Sequence, residues 1–234
     1  SCALYIDDTL HDENTSVQNN TETTLTANTS LSPGDHTWYI NCTDSEGSWP
    51  SETRTIGIGV NFSRCAVLVD SGTYYLNGSI VNSGSSHCID ISANNITLDC
   101  QGYTITTTEN SVILVNRTTK QETNITIKNC IVADQGTNLG DKLIYLINAD
   151  NNILENLNLS SNQHSNGIYL DHSDFNTLKN ITANSNYYGI NLDSSHNNSL
   201  SNITANDNHD NGAGILLSSS DYNNLTLSLI HISE

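Results

Sequence analysis

One apolar position recurs at Ile91, Val115, Leu146, Leu170, Leu192 and Leu217, and a second at Leu98, Ile127, Leu154, Leu178, Leu200 and Leu225. The second series steps by 29, 27, 24, 22 and 25 residues, and from its third member onward it trails the first by eight. Units of this length, made of short β-forming stretches without a helical period, confine the chain to a solenoid in which each repeat buries its neighbour's apolar face. Leucine-rich repeats share the length but need an L-x-x-L-x-L frame, which is absent. A parallel β-helix fits: each coil gives short strands to parallel sheets, and alternate residues point inward.

The corners of such coils account for the composition. Asparagine supplies 35 of 234 residues. It tolerates the left-handed backbone of a sharp turn, and its amide can bond the same residue one coil away. Asn129, Asn156, Asn180 and Asn202 are the expected ladder. Six rungs at ~4.8 Å would stack to roughly 29 Å.

Charge excludes several functions. With 25 Asp and Glu against 7 Lys and Arg the net charge is −18, the wrong sign for displacing counterions from nucleic-acid phosphates or for an anionic membrane surface. No apolar run approaches the ~20 residues of a membrane-spanning helix, so no membrane insertion is expected from this stretch. Charged residues are only 14% and the β-formers are evenly spaced, unlike a disordered acidic tail.

Residues 1–60 read differently. Cys2, Leu4 and Ile6 alternate with polar positions, as do Trp38, Ile40 and Cys42, with Ser32-Pro33-Gly34-Asp35 as the turn before the latter. Cys2 and Cys42 on inward faces would join two strands of a sandwich, and closing that loop stabilises by roughly 4 kcal/mol. The six cysteines, Cys2, Cys42, Cys65, Cys88, Cys100 and Cys130, allow 15 pairings and contain no C-x-x-C. An even count, acidity and 14 N-x-S/T sequons suit an oxidising exterior, although an Asn-rich chain makes many sequons by chance. The chain opens at Ser1-Cys2, contains no Met, and ends in Ser228-Leu229-Ile230-His231-Ile232-Ser233-Glu234, which reads as a translated sequencing adapter. Residues 228–234 are therefore expected to be non-native and the chain to be an internal fragment.

The first 60 residues resemble the Ig-like or fibronectin-like repeats of archaeal surface proteins, through Cys2-Ala3-Leu4-Tyr5, Gly34 to Cys42, Asp44 and Gly47. The resemblance implies a truncated Ig-like β-sandwich whose first strand would precede Ser1. Ile96-Thr97-Leu98-Asp99-Cys100-Gln101-Gly102-Tyr103-Thr104-Ile105 and the G-I-x-L…N-x-L-x-N-I units at Gly167 and Gly189 resemble the NosD-like family, also known as the carbohydrate-binding and sugar-hydrolysis repeat family. That resemblance implies an all-β, right-handed parallel β-helix of about six rungs over 89–227, preceded by a linker and cap over 61–88. In that arrangement Cys65 pairs with Cys88 in the cap and Cys100 with Cys130 between adjacent rungs.

Chemistry is sparser. Hydrolases on this fold carry a carboxylate pair or triad with N-T-D, D-D, G-H-G and R-x-K motifs; the one D-D here is Asp7-Asp8, in the other domain. A lyase base has only Lys179 among the regular rungs. Asp171-His172 over Asp193, with Asp174 over His196, is the candidate metal set, although Asp is also an ordinary turn residue. Asp207-Asn208-His209-Asp210-Asn211-Gly212 echoes a calcium loop without its closing Glu. Copper delivery, which the resemblance also implies, calls for His, Met or free Cys, and the cysteines are committed. Tyr145 and Tyr169 should stack outward on successive rungs, and Phe175 aligns with Tyr222; exposed aromatics of this kind stack on sugar rings or simply brace a sheet. The expectation is an extracellular, non-catalytic surface or adhesion protein without a cofactor, contacting glycans or neighbouring surface proteins. The alternative is a polysaccharide-active β-helix enzyme (lyase, hydrolase or epimerase) with catalytic rungs outside this stretch.

Overall fold

The computed structural model describes residues 1–18, 21–28, 31, 34–82, 86–108, 111–136, 140–160, 164–206, 208–209, 212–226 and 229–230. It divides into two compact units, 1–60 and 61–234. Among the described residues there is no helix.

In the first unit β1 (Cys2–Ile6), β2 (Thr9–Asn14), β3 (Gly34–Thr43), β4 (Ser48–Pro50) and β5 (Arg54–Ile58) form one antiparallel sheet in the order β2-β1-β3-β4, with β5 also on β3. Asp7 and Asp8, both at positive φ, make the two-residue β1–β2 hairpin loop. Cys2 lies opposite Cys42, and the two form a disulfide. The expected sandwich takes two sheets, whereas the described strands make one. Leu4, Ile6, Trp38 and Ile40 on its apolar face line a pocket of about 450 Å³ together with Thr23, Leu25 and Ala27 of an irregular segment, which Asp12 pins by accepting the Thr26 N–H at 2.7 Å. The Ser32-Pro33 part of the expected turn lies outside the described residues.

The second unit is a parallel β-solenoid of about six turns. After β6 (Val60–Phe62), the coils run β7 (Ala66–Leu68), β8 (Gly72–Leu76) and β9 (Ile80–Asn82); β10 (His87–Ile91), β11 (Ile96–Asp99) and β12 (Thr104–Thr107); β13 (Ser111–Glu122), β14 (Thr126–Lys128) and β15 (Ile131–Asp134). They continue as β16 (Lys142–Asp150) and β17 (Ile153–Ser160); β18 (Asn166–Asp171) and β19 (Thr177–Asn184); β20 (Tyr188–Asp193) and β21 (Ser199–Ala205); β22 (Ala213–Ser218), β23 (Asn224–Thr226) and β24 (Leu229–Ile230). One sheet is β22-β20-β18-β16-β13-β10-β7, and a second runs β23-β21-β19-β17-β14-β11-β8-β6. The segment expected as linker and cap thus lends β7, β8 and β9 to the same sheets, in register with the next coil.

The apolar series are inward columns. Val115, Leu146, Leu170, Leu192 and Leu217 are successive register partners, and so are Leu98, Ile127, Leu154, Leu178, Leu200 and Leu225. All are fully buried except Leu217 and Leu225 on the last described coil, at 44% and 38% exposure; Ile91, the first series' remaining member, is also fully buried. Cys65–Cys88 and Cys100–Cys130 complete the disulfides. Leu229 and Ile230, within the stretch expected to be non-native, pair with β21; Ser228 and residues 231–234 lie outside the described residues.

Two asparagine columns hold the corners. Asn129, Asn156, Asn180 and Asn202 sit at φ 52–55° on the outside, each Nδ2 donating to the Oδ1 one coil earlier at 2.8–3.2 Å, down to Asp99. Inside, Asn152, Asn176 and Asn198 are at most 1% exposed. Asn176 Oδ1 accepts the backbone N–H of Asn152 at 2.9 Å, Asn198 Oδ1 that of Asn176 at 2.7 Å, and Asn223 Oδ1 that of Asn198 at 2.8 Å.

Candidate functional site

Side chains on the outer face of the first sheet are fixed by the pleat and by parallel register. One outward column runs Asp90, Leu114, Tyr145, Tyr169, Asn191 and Leu216, and the next holds Asn116, Ile147, Asp171, Asp193 and Ser218. Because the coils are in register, Tyr145 and Tyr169 stack with centroids 5.1 Å apart and planes 7° from parallel. Lys142 Nζ stands over both rings, 5.2 and 5.8 Å from their centroids.

Each hydroxyl reaches diagonally to the following coil. Tyr145 Oη donates to Asp171 Oδ2 at 3.1 Å, and Tyr169 Oη donates to Asp193 Oδ2 at 3.2 Å. Partial burial, with the neighbouring carboxylates second, raises both phenol pKa values, that of Tyr169 to about 12. The second oxygens are taken too: Asp171 Oδ1 lies 2.5 Å from His172 Nδ1, and Asp193 Oδ1 accepts from Ser194 Oγ at 3.2 Å. Beside the rings is an open groove of about 420 Å³ lined by His87, Ser111, Asn116, Asp141, Lys142 and Tyr145. The arrangement is a rigid aromatic platform ringed by hydrogen-bonding groups.

The candidate metal set does not assemble. Asp171, His172 and Asp193 are neighbours, but His196 belongs to another column: its N–H donates to Asp174 Oδ1 at 2.7 Å, and its Nδ1 accepts from the Asp221 N–H at 2.9 Å. Asp174 pairs with Lys120. Asp174 and His196 are neighbours, joined through the His196 backbone N–H rather than through its ring. Among the described residues no three His, Cys, Asp or Glu side chains converge as a metal site. Asp207, Asp210 and Asn211 of the calcium-like loop lie outside the described residues.

Lys142 and the diagonal Tyr–Asp bonds were not anticipated. Lys142 stands three residues before Tyr145, so the K-L-I-Y-L stretch carried a signal for it. The second sheet's outer face is plainer: Asp99, Lys128, Glu155 and Lys179 follow one another in register, with Lys128 Nζ 3.7 Å from Asp99 Oδ2. Lys179, the base expected from the regular rungs, thus belongs to a ladder of alternating charge, and it is not alone there, because Lys128 and Lys142 also stand on the coils.

A family model described as periplasmic copper-binding protein (NosD) matches residues 81–233, about two thirds of the chain. The chain belongs to the NosD family. No curated protein and no solved structure matches it. The NosD match and three disulfides point to an extracellular or periplasmic location. Among the described residues no copper site assembles: the chain contains no Met, all six cysteines are in disulfides, and no three His, Cys, Asp or Glu side chains converge.

Proposed function

We propose that this protein is an extracytoplasmic, non-catalytic β-solenoid that contacts carbohydrate through the Tyr145–Tyr169 platform, as part of a cell-surface or adhesion molecule. The coils are taken as right-handed, the hand that parallel crossovers almost always adopt, and residues 1–60 as an Ig-like spacer. The observation that carries the reading is the pair of parallel, half-buried rings whose hydroxyls are locked onto Asp171 and Asp193. Rings stacked face to face in this way present a pre-ordered apolar edge to the C–H groups of a sugar at little entropic cost, and the carboxylates, Asn116 and Lys142 provide polar partners for hydroxyls. Contact of this kind is weak singly and gains strength by repetition.

The test is titration of the whole chain with neutral oligosaccharides, followed by tyrosine fluorescence and by NMR. Binding that weakens at least about tenfold in Tyr145→Ala/Tyr169→Ala, and is unchanged in Lys128→Ala on the other sheet, supports the reading. Equal loss in both variants, or no binding to any glycan of a broad array, overturns it. New reducing ends in the mixture would favour the enzyme alternative.

A further inference from the structure

One corner of the solenoid carries residues that packing does not explain. Asn95, Asn124, Asn151, Phe175, Asn197 and Tyr222 share it: each stands two residues before the register column Thr97, Thr126, Ile153, Thr177, Ser199 and Asn224. All six have φ between 50° and 60°. Asn suits that left-handed backbone, whereas a bulky aromatic costs roughly 1–2 kcal/mol there. Phe175 and Tyr222 are nevertheless 56% and 86% exposed, so neither ring repays that cost in the core.

Between the two aromatics, one coil from each, is Asn197. It begins the sequon Asn197-Asn198-Ser199. Its N–H donates to the Asp221 carbonyl, but its exposed side-chain amide bonds to no described residue. Other sequon asparagines on these corners are engaged: Asn124 Nδ2 donates to Asn95 Oδ1 at 3.3 Å, and Asn180 and Asn202 are in the outer ladder. Phe175 and Tyr222 stand two coil spacings apart, about 9.6 Å. A pyranose ring in van der Waals contact with an aromatic on either side takes roughly that gap.

We propose that Asn197 is an N-glycosylation site whose first sugar lies between Phe175 and Tyr222. The donor is a lipid-phosphate-linked oligosaccharide. Its anomeric C1–O bond to phosphate breaks, C1 bonds to Asn197 Nδ2, Nδ2 releases one proton, and the lipid phosphate leaves. The aromatics then cover the apolar face of the attached sugar, which gives two strained, solvent-facing rings a contact.

The experiment is secretion of the full chain from yeast, with glycopeptide mass spectrometry at every sequon. Asn197 should be occupied more fully than Asn180 and Asn202. Ser199→Ala, which leaves Asn197 and its backbone in place, should lose one glycan and lower Tm by about 2 °C. In a Phe175→Gly/Tyr222→Gly background, where glycine suits the backbone, removing that glycan through Ser199→Ala should leave Tm unchanged. An unmodified Asn197 overturns the proposal, whichever other sequons carry sugar. An occupied Asn197 whose glycan contributes equally to Tm with and without the two rings overturns the aromatic part.

Discussion

The two asparagine columns use the same side chain in opposite surroundings. On the outside, Asn129, Asn156, Asn180 and Asn202 adopt the left-handed backbone and bond to one another, with water as an available substitute. Inside, Asn152, Asn176 and Asn198 bond to backbone groups of neighbouring coils, where the sharply turned main chain has no partner of its own and water is excluded. Asparagine therefore solves a conformational problem in one column and a hydrogen-bonding problem in the other, and only the second is costly to leave unsolved.

The largest effect that would sharpen this contrast is Asn176→Ala. It orphans the buried Asn152 N–H and removes the contact to the Ala149 carbonyl, so urea unfolding should show a loss of about 3 kcal/mol. Asn180→Ala should cost less, about 1.5 kcal/mol, since it strains the left-handed corner but leaves its orphaned groups wet. Asn180→Gly, which removes the same side chain without the strain, should cost about 0.5 kcal/mol. If Gly and Ala cost the same, the outer column works through its side-chain bonds and the contrast fails. Smallest should be Lys128→Ala beside the ladder's Asp99 end: under about 0.5 kcal/mol, vanishing in high salt.

How far this was legible in the sequence follows from the same contrast. Periodicity alone placed Leu146 over Leu170 and Leu154 over Leu178, because in-register stacking repeats an inward position once per coil. The outer ladder was legible for the same reason. The inner one was not, since Asn176 and Asn180 are both corner asparagines four residues apart, and only the path of the coil decides which one turns inward. At the candidate site, repeat spacing aligned Tyr145 with Tyr169. It could not give the bonds to Asp171 and Asp193, because a phenol reaches across the register to the next coil. His196 misled for the opposite reason: alignment gives proximity, but not whether a side chain meets a metal or a neighbouring N–H. In the first unit, alternation located β1 and β3 but not β2 or β4, and the segment that shares a pocket with their apolar face has no periodicity to announce it.

The outer ladder also has a direction. Every amide donates toward the earlier coil, from Asn202 to Asn180 to Asn156 to Asn129, so the side-chain dipoles align head to tail and polarise one another. The positive end of that array meets the carboxylate of Asp99 at 3.0 Å. This is the electrostatic situation of a helix whose amino end is capped by an aspartate, reproduced by side chains along the axis of a β-solenoid.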